Sequence, residues 1–256
     1  MLNHDPRSDV EAAIPSATVD LMPIAYIRSS YPERFGIPRQ AGLVPSATAT
    51  IVFPNTDLHW HSLRGIESFS HIWVIFWFHG QSFTKFRPLV RPPRLGGNKT
   101  MGVYATRSPN RPNPMGLSAV PLDHIEQTPT EILLHIHGGD FLDGTPVLDI
   151  KPYVPYADAI ASATSAWADH PDPRLSVAWS PTASASLETA ADNHQLEIRQ
   201  MITDVIAQDP RPGYERGKDG QPDQFWNVRL AGFDIFWRVE AGTAIITRLL
   251  PISNDS

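Results

Sequence analysis

The sequence predicts a mainly β protein in two parts, a small single-sheet barrel followed by a smaller α+β domain. Twenty-five prolines outnumber sixteen glycines, a supply of backbone breakers that favours short strands joined by rigid turns over long helices. From residue 21 to 156 the apolar residues come in short runs bounded by turn formers, while from 175 a strand, a helical period and three alternating strands follow. With 41% hydrophobic residues among 256, the chain can bury a full-sized core or two modest ones.

Residues 1–20 alternate charges with Ala and Pro and lack an apolar centre behind a basic start, so they predict a frayed tail rather than a signal peptide. Runs at 24–27, 48–53, 72–78, 103–106, 117–122 and 132–137 read as strands. Apart from about one helical turn near 62–67, their spacing is too short for crossover helices, which disfavours parallel βαβ winding and predicts a closed barrel over 21–156. Residues 157–174 lose both periods and read as a linker. A strand at 175–179 leads into one helix beginning at Ser180-Pro181 and stopped by Asp209-Pro210. Along it Leu187, His194, Ile198, Met201, Ile202, Val205 and Ile206 fall near one face. Strands at 225–230, 233–239 and 243–250 complete an α+β domain over 175–252.

The absence of cysteine excludes disulfides, thiolate metal sites and a cysteine nucleophile, and fits a cytoplasmic protein. The apolar run 72–78 falls short of the roughly 18–20 residues a membrane span requires, so no membrane partner is expected. No G-x-G-x-x-G, Walker or G-x-S-x-G pattern occurs, which argues against standard dinucleotide, nucleotide triphosphate and esterase sites.

Charge is the most uneven property of the chain. The whole is formally −6, yet no acid falls between Ser68 and Leu122, where Lys85, Arg87, Arg91, Arg94, Lys99, Arg107 and Arg111 lie. Such a surface expects an anion, phosphate first. Within it, Arg107-Ser108-Pro109-Asn110-Arg111-Pro112-Asn113-Pro114 has a backbone fixed by prolines, so its arginines and asparagines are preorganised. Arg91-Pro92-Pro93-Arg94 is extended and suits phosphate contacts. Downstream, Gly138-Gly139-Asp140 permits close backbone approach to a ligand, and at Asp143-Gly144 the reading as a hairpin turn is favoured. His59-x-His61 and His135-x-His137 each place two rings on one face of an expected strand, but without a third ligand in sight no metal is expected.

These motifs in this order resemble the TsaA/TrmO family. The resemblance rests on Pro38-Arg39-Gln40-Ala41-Gly42-Leu43, Phe69-Ser70-His71-Ile72-Trp73, Arg91-Pro92-Pro93-Arg94-Leu95-Gly96-Gly97, Gly102-Val103-Tyr104-Ala105-Thr106-Arg107-Ser108, Arg111-Pro112-Asn113-Pro114, and Asp143-Gly144-Thr145-Pro146 with Asp149-Ile150-Lys151-Pro152-Tyr153. It implies a non-Rossmann, homodimeric methyltransferase that binds S-adenosyl-L-methionine. The substrate implied is tRNA, at N6 of the N6-threonylcarbamoyladenosine 3′ of the anticodon in threonine tRNA. By position, cofactor contacts carry over to Gln40, Ala41, Gly42, His79, Gly80, Arg107, Leu117, His137, Gly138, Gly139 and Asp140. Ala41 stands where relatives often have Pro. Arg91, Arg94, Lys99 and Arg111 are the candidate substrate contacts, Tyr104 or Trp60 could stack on unpaired bases, and Asn113, Asp143 or a backbone carbonyl could accept the N6 proton. In the second domain, Arg211 and Tyr214 are candidates for RNA contacts or dimer support. The alternatives are an RNA-binding barrel without catalysis and a methyltransferase acting on a small molecule.

Overall fold

Alternation of apolar and polar side chains builds a ring of six antiparallel strands. The computed structural model describes residues 19–80, 87–96, 99–190, 194–213, 215–216 and 224–252; Lys85, Gly97, Tyr214 and nearly all of the expected tail lie outside them. The barrel strands are β1 (Ala25–Ser29), β2 (Thr48–Pro54), β3 (His71–Trp77), β6 (Met115–Gln127), β7 (Glu131–His137) and β8 (Pro146–Pro152), and they close in the order β1-β2-β7-β6-β3-β8. Side chains two apart fill the interior, among them Ile27, Ile51, Val74, Val120, Leu134 and Val147, each essentially inaccessible. Burying each contributes roughly 1.5–3 kcal/mol relative to exposure.

Two further short strands, β4 (Leu89–Val90) and β5 (Met101–Gly102), pair as a hairpin whose tip carries a 3-10 turn, Pro93–Leu95. Residues 103–106, expected as a strand, instead form a 3-10 turn over Val103–Ala105. Four residues are too few for alternation to mean anything, and only Val103 is buried. Strand β8 was missed by periodicity because prolines bracket it and polar Asp149 and Lys151 occupy its outer face. The helical turn expected near 62–67 is a helix α1 (Asp57–Ser62) followed by a 3-10 turn at Ile66–Ser68, so His59 and His61 lie on a helix rather than on the strand expected for them. Of the aromatics on β3, Phe76 is buried, whereas Trp73 and Trp77 point outward and are only half-buried.

Strand β6 is long and irregular. Its pairing with β7 shifts register between Leu122 and His124, so two consecutive side chains, Asp123 and His124, are both exposed while Leu122 and Ile125 on either side pack toward the barrel core.

After a four-residue helix α2 (Pro155–Asp158), residues 160–175 carry no helix or strand. The second domain holds β9 (Ser176–Trp179), α3 (Pro181–Ala190), α4 (Gln195–Ala207), β10 (Trp226–Leu230), β11 (Phe233–Glu240) and β12 (Thr243–Pro251). The single expected helix is two, and His194 stands exposed just before the second rather than on its buried face. Strands β10, β11 and β12 are antiparallel as expected, and β9 adds parallel to β12. Leu187, Met201, Ile202, Val205 and Ile206 pack onto Trp237, Ile235 and Ile246 of this sheet. Three barrel-side residues, Tyr31, Val44 and Ala47, are buried in the same cluster, so the two domains share one core at their junction. Among the described residues no helix is long and apolar enough to cross a membrane.

Candidate functional site

The loops that follow β1 and β7 meet at one end of the barrel. Gly42 N–H donates to the Gly138 carbonyl at 2.8 Å, and Gly138 N–H donates to the Ala47 carbonyl at 2.7 Å. Gly138 has φ +62°, and a Cβ there would sit 3.4 Å from the Gly42 backbone, so glycine lets the two chains approach. Arg107 reaches this junction from the proline-rich loop and donates to Gln40 Oε1. The Gln40 amide in turn donates to the Arg39 carbonyl. Asp140 lies on the other side. Its carboxylate accepts from Ser118 Oγ at 2.7 Å. Burial pushes its pKa above the ordinary carboxylate range, against the pull of Ser118, nearby backbone N–H groups and the positive Arg107.

Of the residues expected at a cofactor, Gln40, Ala41, Gly42, Arg107, Gly138, Gly139 and Asp140 are thus gathered in one place. Ser118, one residue beyond Leu117, is the buried side chain that joins them. Leu117 itself points outward and is exposed. His137 also points to the barrel's outer face, where Nε2 is 3.6 Å from Asp123, so only its backbone adjoins the Gly138 turn. His79 and Gly80 lie beside the next turn. A Cβ on Gly144 would be 3.8 Å from His79 Nε2, and one on Gly80 only 2.6 Å from Leu142. Phe78 N–H donates to the Pro114 carbonyl at 2.8 Å, which draws the Asn113 loop to the same end.

The two candidate proton acceptors differ in freedom. Asn113 is exposed at its loop's end. Asp143 is also exposed, but Oδ1 accepts the Ser29 N–H at 2.9 Å while the Asp143 N–H donates to the Tyr31 carbonyl. Its side chain therefore also secures the Asp143-Gly144 turn, where Gly144 has φ +73°.

The cations divide in the same way. Arg91 and Lys99 are exposed on the β4–β5 hairpin. Arg111 folds back on its own loop, donating to the Thr106 carbonyl at 2.9 Å, with its guanidinium over the exposed Tyr104 ring. Arg94 pairs with Asp172 of the linker at 3.3 Å, and that carboxylate also takes Arg39 at 2.6 Å and Arg216 at 3.4 Å. Nothing in the sequence signalled Asp172, since it lies in an aperiodic, polar segment. Arg211, expected at RNA or a partner subunit, is instead buried against Asp209 and Trp226. Pairing at two oxygens makes such a buried guanidinium tolerable.

A closed antiparallel barrel that carries a guanidinium and a carboxylate at one glycine junction is a barrel of non-Rossmann type. Comparison with known proteins gives the family. The tRNA-methyltransferase O N-terminal domain matches residues 26–159, and the TrmO C-terminal domain matches residues 172–252. The chain is 44% identical over 221 residues to a putative S-adenosylmethionine-dependent methyltransferase, RcsF, of Pseudomonas aeruginosa, covering 86% of this chain and 92% of that one. It is 40% identical over 218 residues to the tRNA (adenine(37)-N6)-methyltransferase of Escherichia coli K12, covering 84% and 91%. The crystal structure of TrmO from Pseudomonas aeruginosa superposes with a TM-score of 0.74 at 35% identity, over 91% of this chain and 99% of that one. The chain belongs to the tRNA-methyltransferase O family.

Proposed function

We propose that the Gln40–Gly42, Arg107 and Gly138–Asp140 junction binds S-adenosylmethionine and that this barrel end methylates N6 of adenosine 37 in tRNA. The observation that carries the reading is that a cation, Arg107, and a carboxylate, Asp140, stand at one junction of two glycine backbones. An amino acid moiety with its own carboxylate and ammonium matches that donor set. When bound, S-adenosylmethionine supplies an electrophilic methyl group on a sulfonium.

The chain's residues do the rest. Gln40 holds the Arg107 fork, which suits a carboxylate. Asp140 offers negative charge to a cation, and such a partner favours its ionised form over the protonated form that burial favours. Fixing donor and acceptor in line supplies on the order of several kcal/mol of rate. The attacking nitrogen must lose its proton: Asn113 Oδ1 can hold the N6–H as a hydrogen-bond acceptor, and the second oxygen of Asp143 takes the proton. Arg91 and Lys99 contact phosphates, and Tyr104, 71% exposed, offers a face for an unstacked base. The finer assignment is the threonylcarbamoyl form of adenosine 37 in threonine tRNA, modified in the cytoplasm. A homodimer is supported by an apolar strip on the outer face of β3 and β6, where Ile75 faces Leu117 and Trp77 faces Met115, both β6 residues being exposed.

Two measurements test this. Mass spectrometry of nucleosides from threonine tRNA incubated with the protein and S-adenosylmethionine should show a new N6-methyl product; unaltered nucleosides would refute the activity. Arg107→Ala should keep the melting temperature of the free protein, weaken cofactor binding about 10- to 100-fold by calorimetry, and abolish methylation. Unchanged affinity and turnover would remove Arg107 from the site.

A further inference from the structure

The irregular pairing of β6 with β7 puts an unusual set of side chains on one face. A regular strand would send Asp123 and His124 to opposite sides, but the register shift after Leu122 turns both to solvent, with side chains 51% and 57% exposed. Glu126 follows two residues later on that face, and His135 of β7 stands opposite His124. The two imidazole rings stack with centroids 4.2 Å apart, and His135 Nε2 is 3.3 Å from Glu126 Oε2. One ligand atom from each of His124, Glu126 and His135 lies within 4.8 Å of the others. Ligands around a tetrahedral zinc are ~3.3 Å apart, a distance that small rotations of exposed side chains reach.

A second observation points the same way. His124 Nδ1 is 2.9 Å from Asp123 Oδ2. A ring that donates from Nδ1 to a carboxylate presents the Nε2 lone pair outward, the arrangement by which carboxylates orient metal-bound histidines. His135 and Asp123 also border an open cleft of about 270 Å³, which leaves room for water to complete the coordination.

We propose that His124, Glu126 and His135, with Asp123 orienting His124, form a binding site for a divalent borderline transition ion of the zinc type. Two neutral imidazoles, one carboxylate and an open position are a common donor set for such ions. The site lies on the barrel's outer face, and of the expected cofactor residues only the His137 ring, 3.6 Å from Asp123, borders it. An ion there would bridge β6 to β7 where the bulge interrupts their ladder. The sequence pairs His135 with His137 by spacing, but it is the cross-strand partner that completes the set.

The test uses the full-length chain without an affinity tag. Calorimetric titration with zinc chloride should show one ion per chain, and cobalt(II) should develop the visible absorption of a four-coordinate ion. His124→Ala and His135→Ala should each weaken zinc binding at least tenfold, with Glu126→Gln as a shape-preserving third variant and His59→Ala as an unaffected control. All these side chains lie on the surface, and circular dichroism will verify that the variants fold. No binding of zinc at ~100 µM, or binding that persists unchanged in both histidine variants, would overturn the site.

Discussion

Asp140 concentrates the physical conflict of the candidate site in one side chain. Burial disfavours its charge, while Ser118, backbone N–H groups and Arg107 favour it, and burial prevails, so the folded pKa stands above the unfolded value. The native state therefore holds this proton more tightly than the unfolded chain. The stability it adds is present at acid pH and declines as pH rises from the ordinary carboxylate range through the raised value, above which it is flat. Asp140→Asn should flatten that decline, read from urea midpoints across a pH series; an unchanged profile would show that another group is responsible. The sequence showed Asp140 beside two glycines but not its burial, because Ser118, the hydroxyl that reaches it, comes from a strand distant in the chain. For Arg111 the spacing marked a cation without revealing that its own loop's carbonyls hold the guanidinium.

At the scale of elements, close packing at the start of β6 explains one glycine. A Cβ on Gly116 would lie 2.1 Å from Phe76 Cζ, and Phe76 is wedged edge-on against Phe78 and Phe141 at 5.1 and 5.0 Å. Gly116→Ala should cost about 1–3 kcal/mol, measured by denaturant unfolding; a neutral result would mean the Phe76 ring can shift. Most strands were legible because one face of each is buried and alternation records that. The elements misread are those where alternation carries no information. Residues 103–106 are too few, β8 hides between prolines, and the helical face over 181–207 continues across a break between two helices. The bulge in β6 was illegible for a different reason: it is defined by the partner strand's register, which spacing along one strand does not encode.

The whole molecule is tied together by shared burial and by one acid. Tyr31, Val44 and Ala47 lie in the second domain's core, and Asp172 gathers Arg39, Arg94 and Arg216 from three separate segments. Arg39 adjoins Gln40, whose side chain bonds both the Arg39 carbonyl and Arg107, so the linker reaches the candidate cofactor site through two residues. Asp172→Ala should lower stability by roughly 1–2 kcal/mol, more than one exposed pair because three cations lose their common partner. It should also weaken S-adenosylmethionine binding, with Asp172→Glu restoring part of both in melting and calorimetry. A cofactor affinity unchanged in Asp172→Ala would disconnect linker from site.

The six-stranded ring closes on itself, and a ring offers no terminal ladder to which another polypeptide's strand can be added. Whatever meets the barrel, nucleic acid or a second subunit, must therefore engage it through side chains and loops. Substitutions on its outward faces can retune such encounters while the main-chain hydrogen bonding beneath them stays intact.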